Sequence, residues 1–510
     1  MLKKKLQSSV FNLSHVVSGT ADLGFIQPIA CYDVVPGDRI RHKLHALVRA
    51  QALLAPVMHT VDIDIDAYFV PDRIIWDDAP DFHSGGDDGM NDSVAPTRSY
   101  PAEGYGVGSL ADMLGLPVVT YDSEGAPVPV TSSNADPHSV LPFRAYNKIF
   151  NDFYRDSQLQ SEAVISTASG PDTTTNINLL RPCWKRDYYT KARPQPQLGP
   201  DVVLPFSGSA PVVSDGTIPQ LNVSGVDQNI FVGAATLSGA VRAGTSTSSV
   251  TDVEFGSNTG LETDLSESSG ISIREQREAN ALYRALEFNN IWGGRYIEQV
   301  WARFQTRVPD YRLDRPEFLG SGSARMQFSE VLQTAEGEDV VGTMRGHGIA
   351  LTGTNKFRYS VPEHGWIMIV MVIRPKAQYM QGQHRMWNRQ SRYDYLMPEF
   401  VHVGDQAIAN KELYVTAAEP DGVFGFTPIY GEYTTIPSRV FGDFRTTLNY
   451  WHMARQFASE PALNSSFVEC VPTPRIYAVT PQTANPLMMM IHHKVSARRP
   501  LPLTPNYRLM

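Results

Sequence analysis

Three aspartates at alternate positions, Asp62, Asp64 and Asp66, are the first residues in the chain whose type and spacing could support chemistry. Alternating oxygen ligands open a calcium-binding loop of the EF-hand type. The rest of that pattern is missing, because Ala67 stands where the loop needs glycine and Arg73 where it needs the closing glutamate. Carboxylates at alternate positions are also typical of the solvated face of a strand. We favour the strand over a metal site.

Other local signatures of catalysis or cofactor binding are missing from the sequence. Gly320 and Gly322 lack the further glycine and the Lys-Ser/Thr pair of a phosphate-binding loop. His492 and His493 are adjacent, so on a strand they would point to opposite faces and could not bind one metal ion. No His-x-His, Gly-x-Ser-x-Gly, His-Glu-x-x-His or Cys-x-x-Cys occurs. We therefore expect no catalytic, cofactor-binding or metal-binding residues.

The elements around these residues are predicted to be mainly strands. From Val57 to Val70 the odd positions are mostly apolar, whereas Asp62, Asp64, Asp66 and Tyr68 can face water, which predicts a strand buried on one face. Trp366 to Ile373 is apolar on both faces and predicts a central, covered strand. With 36 prolines and 38 glycines, the chain favours an all-β fold with long turn-rich connections and a large antiparallel sheet or barrel.

Three helices are predicted between these strands. The first opens at Leu141 and carries an aromatic stripe that indicates core packing: Phe143, Tyr146, Phe150 and Phe153. The second begins at a capping box formed by Ser272 and Glu275 and ends at Gly293. The third follows directly, with apolar side chains at helical spacing: Ile297, Val300, Trp301 and Phe304.

Composition limits the class of protein further. The 510-residue chain has three cysteines that lie far apart, which argues against a disulfide framework and favours a reducing compartment. The basic N-terminus is not followed by an apolar segment, as a secretory signal would require. The longest apolar run, Trp366 to Ile373, is far shorter than the roughly 20 residues of a membrane helix. We expect a soluble protein without membrane insertion.

Charge is unevenly distributed along the chain. The formal net charge is −9, and the Ser- and Gly-rich segment Ser207 to Gly270 alone contributes −6. This composition buries little core by itself. We interpret residues 207–270 as an acidic surface insertion in a core formed by residues 1–206 and 271–510, with a flexible linker as the alternative.

Basic residues cluster at both ends and in the segment Leu180 to Leu204, where they alternate with Trp184, Tyr188 and Tyr189. Basic and aromatic side chains together can follow single-stranded nucleic acid through charge and base stacking. A frayed terminus, a plain loop or an arm lying across a neighbouring subunit would have the same composition. The candidate nucleic-acid-binding residues are Lys3, Lys4, Lys5, Lys185, Arg186, Arg498, Arg499 and Arg508.

Nine stretches of the chain form a recognisable set. They are FNLSHVV from Phe11, VVPGD from Val34, LLAPVMHTVDIDIDAYFVPDRIIWDD from Leu53, LPFRAYNKIFNDFYRD from Leu141, DYYTKARPQPQLGP from Asp187, RLDRPEFLGSGS from Arg312, QGQHRMWNRQSRYDY from Gln381, WHMARQFASEPALNSSF from Trp451, and RPLPL from Arg499. Together they resemble the major capsid proteins of the Microviridae, small single-stranded DNA phages, and most closely the gokushovirus branch. They follow in family order over nearly the whole chain, and similarity fades in residues 207–270.

The resemblance implies an eight-stranded antiparallel viral jelly roll with long loop insertions and a few short helices. It also implies a T=1 icosahedral shell of sixty copies around a circular single-stranded DNA genome, assembled in the host bacterial cytoplasm. In such capsids an insertion like residues 207–270 gathers at the threefold axes as a protrusion, for which host attachment is expected. The implied partners are further copies of the chain, the DNA genome, a small basic DNA-packaging protein, a DNA pilot protein, an internal scaffolding protein and a bacterial surface receptor.

A second class of protein stays open from the residues alone. A monomeric or low-order jelly-roll protein could bind glycans, with Trp76, Trp184 or Trp292 as stacking platforms. A jelly-roll hydrolase is a third alternative, which the missing catalytic signatures disfavour.

Overall fold

The computed structural model of the chain describes residues 8–87, 90–200, 202, 273–332, 344–353, 356–478 and 485–502, together with five short strands between residues 212 and 263. Two compact units divide the chain. The larger unit comprises Met1–Leu198 and Asn289–Met510, and the smaller one comprises Gly199–Phe288.

A ten-stranded antiparallel sheet dominates the larger unit. Its strands are β1 (Ser9–Asn12), β2 (His15–Ala21), β3 (Ile26–Val34), β4 (Arg39–Ala50), β5 (Val61–Pro71), β6 (Glu317–Leu332), β7 (Met344–Thr352), β8 (Lys356–Ser360), β9 (Gly365–Pro375) and β10 (Leu487–Arg499). Three small two-stranded sheets pair Thr97–Arg98 with His138–Ser139, Val119–Tyr121 with Pro127–Pro129, and Asp405–Ala409 with Val423–Pro428.

The strand order is that of a jelly roll. Strands β2, β10, β4 and β8 form one four-stranded layer, and β3, β9, β5 and β6 form the other. Strand β1 extends the first layer along β10, and β7 joins β4 to β6 so that the sheet curls around its core. All these pairs are antiparallel, and the predicted all-β jelly roll is confirmed.

The main core lies between the two layers. Alternate residues of β4 and β5 point into it, including Leu44, Ile63 and Ile65, each without solvent exposure. The predicted strand from Val57 to Val70 is present but begins at Val61, since residues 57–60 form a loop. Burial of these branched side chains is the largest favourable contribution to such a fold, at about 25 cal/mol per Å² of apolar surface.

Strands β5 and β9 of the second layer are covered on their outer face as well, which corrects one expectation. Tyr68 was predicted to face water, but it is buried in a second core, beside Val370 of β9 and Tyr146. The predicted central strand at β9 is confirmed, because its residues are buried on both faces. Within β5, the end that carries Asp62, Asp64 and Asp66 is left partly accessible.

Eight α-helices occur in the described part of the chain. They are α1 (Ala79–Ser84), α2 (Leu110–Met113), α3 (Leu141–Ile149), α4 (Ile273–Trp292), α5 (Tyr296–Phe304), α6 (Asn410–Leu413), α7 (Gly431–Thr434) and α8 (Ser465–Val468). The aromatic stripe predicted for α3 packs in the second core, as expected, and continues in a π-helical turn at Phe150–Tyr154. The helix α4 ends at Gly293, where a positive φ of 107° favours glycine.

Most of the predicted insertion, residues 207–270, lies outside the described residues. Five short strands are described within it: Val212–Ser214 pairs with Leu261–Thr263, and Gln220–Val223 pairs with both Val226–Asn229 and Val253–Phe255. The role of this insertion stays a prediction.

Candidate nucleic-acid interface

The outer face of the first layer carries a set of cations in register. Along β4 the side chains alternate, so that Arg39, Arg41 and Lys43 are exposed while Ile40 and Leu44 are buried. The neighbouring strands place more cations opposite them. Arg498 lies opposite Arg39, Arg358 lies opposite Arg41, and Lys356 and Lys494 flank Lys43. We call these seven exposed residues the basic face.

Carboxylates are missing from this layer. The segments β1, β2, β4, β7, β8 and β10 contain ten lysines and arginines and no aspartate or glutamate. Among the described residues, none of the seven cations of the basic face forms an ion pair. A chain with a net charge of −9 therefore concentrates positive charge on one surface.

The basic face places like charges directly opposite each other on neighbouring strands. Such pairs destabilise a sheet. Successive rows of the basic face, at alternate residues of β4, lie about 7 Å apart because a strand rises roughly 3.4 Å per residue. Such a surface gains stability when an extended polyanion covers it and its counterions are released. Contacts of this kind recognise phosphates and not base sequence. The arrangement is suited to a nucleic-acid backbone and offers no group positioned for catalysis.

Two of the predicted nucleic-acid residues lie on or beside this face. Arg498 belongs to it and donates a hydrogen bond of 3.0 Å from Nε to the hydroxyl of Ser8. Arg499 points the other way, where it forms an ion pair of 3.3 Å with the buried Asp38 and donates to the carbonyl oxygen of Asp33. Lys3, Lys4, Lys5 and Arg508 lie outside the described residues.

Lys185 and Arg186 lie on the opposite side of the jelly roll. The Lys185 ammonium contacts Asp62 at 2.9 Å and Asp64 at 3.1 Å, and Arg374 contacts Asp64 at 2.8 Å. Asp62 and Asp64 of β5 thus belong to an ion-pair network. Asp66 accepts a hydrogen bond of 2.7 Å from the Tyr154 hydroxyl, and burial raises the pKa of its carboxyl group.

The aromatic residues near Lys185 are not available for base stacking. Trp184, Tyr188 and Tyr189 are buried in a third hydrophobic cluster. The Tyr189 hydroxyl donates to the carbonyl oxygen of Glu412 at 2.7 Å. The interpretation of Leu180 to Leu204 as a base-stacking segment is therefore wrong. These rings are core residues, because the proline-rich chain around them folds back against α6, which carries Glu412.

A groove of about 970 Å³ lies beside this network. The tryptophans Trp292 and Trp301, whose ring centroids are 5.7 Å apart, form part of its wall. Arg186 and Arg307 also line it and form neither a hydrogen bond nor an ion pair within the described residues. We call this the Trp–Arg groove.

Sequence reasoning missed most of the basic face. A usable signal was present, because RIRHKL from Arg39 alternates cationic with apolar residues, as a strand with one charged face does. The cations of β8 and β10 gave no comparable signal. Only the strand register brings them beside β4, and that register joins parts of the chain that are hundreds of residues apart.

Comparison with known proteins decides the family. A sequence profile described as "Capsid protein (F protein)" matches residues 2–508. The chain belongs to this capsid protein family. Among its relatives, capsid protein VP1 of Bdellovibrio phage phiMH2K is 32% identical, covering 92% of this chain and 90% of the relative. VP1 of Chlamydia phage 1 is 30% identical over 94% and 92%, and VP1 of Spiroplasma virus 4 is 30% identical over 90% and 87%.

These relatives confirm the predicted resemblance to gokushovirus capsids. The protein is a major capsid protein, hence a structural component of the virion and not an enzyme. Trp76 and Trp184 are buried. Two of the three tryptophans considered as stacking platforms for a glycan are therefore not accessible, which weakens the glycan-binding alternative. Among the described helices, none is long and apolar enough to cross a membrane.

Proposed function

We propose that this capsid protein assembles into a sixty-subunit icosahedral shell with the basic face lining the interior, against a circular single-stranded DNA genome. The observation that carries the proposal is the basic face itself, a surface of seven exposed cations in a layer without a carboxylate. A shell interior of this kind lowers the repulsion between the packaged phosphates and the protein wall. Lys3, Lys4, Lys5 and Arg508 extend the proposed contact from both chain ends.

Further partners complete the proposal. The chain as a whole carries a net charge of −9, so a separate small basic DNA-packaging protein is proposed to neutralise phosphates that the shell leaves unpaired. A DNA pilot protein and an internal scaffolding protein are proposed as partners during assembly in the bacterial cytoplasm. The acidic insertion, residues 207–270, is proposed to form the threefold protrusion, where its −6 charge suits contact with a bacterial receptor better than contact with DNA.

Packaged DNA tests the proposal. Replacing Arg39, Arg41, Arg358 and Arg498 by glutamine should lower the DNA content of purified particles severalfold, because each lost cation removes a phosphate contact. Adding Lys3→Gln, Lys4→Gln and Lys5→Gln should lower it further. The measurement is the ratio of nucleic acid to protein in particles, together with subunit number from native mass spectrometry.

A matched control removes exposed cations from other surfaces. Lys191→Gln, Arg277→Gln, Arg284→Gln and Arg439→Gln should together leave the DNA content unchanged, since none of these exposed residues belongs to the basic face. Normal DNA content in the basic-face variant would refute the assignment of that face to the interior. Particles with a subunit number other than sixty would refute the proposed shell.

A further inference from the structure

We propose that the Trp–Arg groove is a subunit interface, and that it receives the segment Tyr393–Val403 of a second copy of this chain. The inference rests on the proposed assembly into a shell, and it names the surfaces that meet. A partly exposed helix, the charge of the groove and the chemistry of the exposed segment support it.

The helix α5 has an apolar stripe that the described residues of the chain leave partly exposed. Ile297, Val300, Trp301 and Phe304 follow the spacing of a helix that packs on one side. No residue of α5 is buried, and Trp301 and Phe304 are 43% and 73% exposed. Exposed aromatic residues at adjacent positions mark interaction surfaces in soluble proteins.

This stripe continues into the groove. Trp292, Ile297 and Trp301 line it together with Phe153 and Phe318. Phe318 and Trp292 are each nearly half exposed. Large aromatic side chains at the centre of an interface contribute much of its binding energy. The groove therefore offers an apolar surface on which an apolar segment can pack.

The charged residues of the groove indicate which kind of segment it can bind. Four carboxylates line the groove, and each already has a partner: Asp66 with the Tyr154 hydroxyl, Asp156 with Arg193, Glu298 with the backbone N–H of Arg295, and Asp310 with Arg315. Arg186 and Arg307 are exposed and form no ion pair among the described residues. The occupant must therefore supply a carboxylate among apolar side chains.

The chain itself exposes a segment with this chemistry. From Tyr393 to Val403 the residues that are about half exposed or more include two tyrosines, a leucine and two valines: Tyr393, Tyr395, Leu396, Val401 and Val403. Glu399 lies among them, is exposed and forms no ion pair within the described residues.

The segment is also held in place by its own chain. The Met397 backbone N–H donates to the Tyr430 hydroxyl at 3.0 Å, and the turn after Ser391 is capped by Asp394. A preorganised segment loses less conformational entropy when it binds. The groove and the segment are different surfaces of the same chain, so their contact is heterologous and closes into a ring when the rotation between copies allows it.

Reversal of one charge on each side tests the interface in the full chain. Arg307→Glu alone and Glu399→Arg alone should each reduce the yield of shells about tenfold at fixed protein concentration, because each places like charges together. The combination of both substitutions should restore assembly. Lys191→Glu, a charge reversal at an exposed lysine outside the groove, is the matched control and should assemble as the parent does.

Sedimentation velocity separates shells from free subunits, and thermal unfolding of the free subunits shows that each variant is folded. The interface is refuted when Arg307→Glu assembles as the parent does, or when the combined variant assembles no better than the single ones. Normal shells with less DNA would also overturn it, since the groove would then hold nucleic acid. A parent chain that forms no shell would instead overturn the proposed function.

Discussion

Arg144 has no solvent exposure, although arginine is among the residues least often buried. Its guanidinium donates to the Asp172 carboxylate at 2.9 and 3.0 Å, and to the carbonyl oxygens of Ile75 and Ala168 at 3.0 and 2.8 Å. It thus joins the start of α3 to two loops that cover the second layer. A buried cation of this kind is stable only when its hydrogen bonds are satisfied.

Replacement of this cation should be strongly destabilising. Arg144→Met leaves the Asp172 carboxylate buried without its ionic partner, and we expect the free energy of unfolding to fall by about 3–5 kcal/mol. Urea unfolding of the purified subunit measures the change. Arg274→Met is the control, because Arg274 and its partner Glu278 are both largely exposed and the expected loss is small. A decrease of less than about 1 kcal/mol in the free energy of unfolding of Arg144→Met would show that the buried ion pair with Asp172 is not needed for stability.

Single residues were harder to place from sequence than the elements that carry them. The period of two correctly marked β5 as a strand, but it could not show that Tyr68 is buried. That burial depends on α3 and its loops, which cover the far side of the strand only in the folded chain. For the same reason Trp184 was assigned to a surface, since basic neighbours in sequence do not reveal the third cluster around it.

At the scale of elements, three strands of the first layer bring histidines together. His15 of β2, His42 of β4 and His493 of β10 meet beside Tyr32 of β3. The His42 Nε2 and His493 Nδ1 atoms are 3.1 Å apart, and the two imidazole rings are buried. Burial, with the neighbouring histidines as a further cause, lowers the pKa of His42 to about 4 and that of His493 to about 3.

This cluster predicts a loss of stability in mild acid. Because the folded-state pKa values lie below the ordinary value of about 6.5, the unfolded chain binds more protons between pH 6.5 and about 4. Stability is therefore full above pH 6.5 and falls as the pH decreases through that range. We expect the two histidines to lower the stability by roughly 4 kcal/mol between pH 7.5 and pH 5, about 2 kcal/mol for each imidazole, measured by urea unfolding of the subunit at the two values.

A neutral side chain in the cluster should reduce this pH dependence. His493→Gln is expected to be less stable than the parent at pH 7.5 but to lose less stability on acidification, since one buried imidazole no longer titrates. The neighbouring His492 is exposed on the opposite face of β10, so His492→Gln should keep the parent's pH dependence. An equal loss in all three proteins would show that the cluster does not control acid stability.

At the scale of the whole molecule, the division of the chain into two units predicts that residues 207–270 can be removed without loss of the jelly roll. Residues 207–270 lie entirely in the smaller unit, Gly199–Phe288, while the jelly roll belongs to the larger one. We expect that replacing residues 207–270 by a short Gly/Ser linker leaves shell assembly intact, as electron microscopy of particles would show. Adsorption of those particles to host cells should fall at least tenfold, since the proposed receptor contact is removed. Failure to form shells would contradict the assignment.

The sequence by itself determined the fold class, the main strands and the family, because hydrophobic period and matching stretches are local properties of the chain. It also showed that the acidic charge is concentrated in residues 207–270. Only the tertiary structure decided which charges act together. The basic face joins β4 to strands more than 300 residues later, and the Trp–Arg groove joins Arg186 to Arg307. Such surfaces arise from strand register and loop packing, which no local pattern specifies.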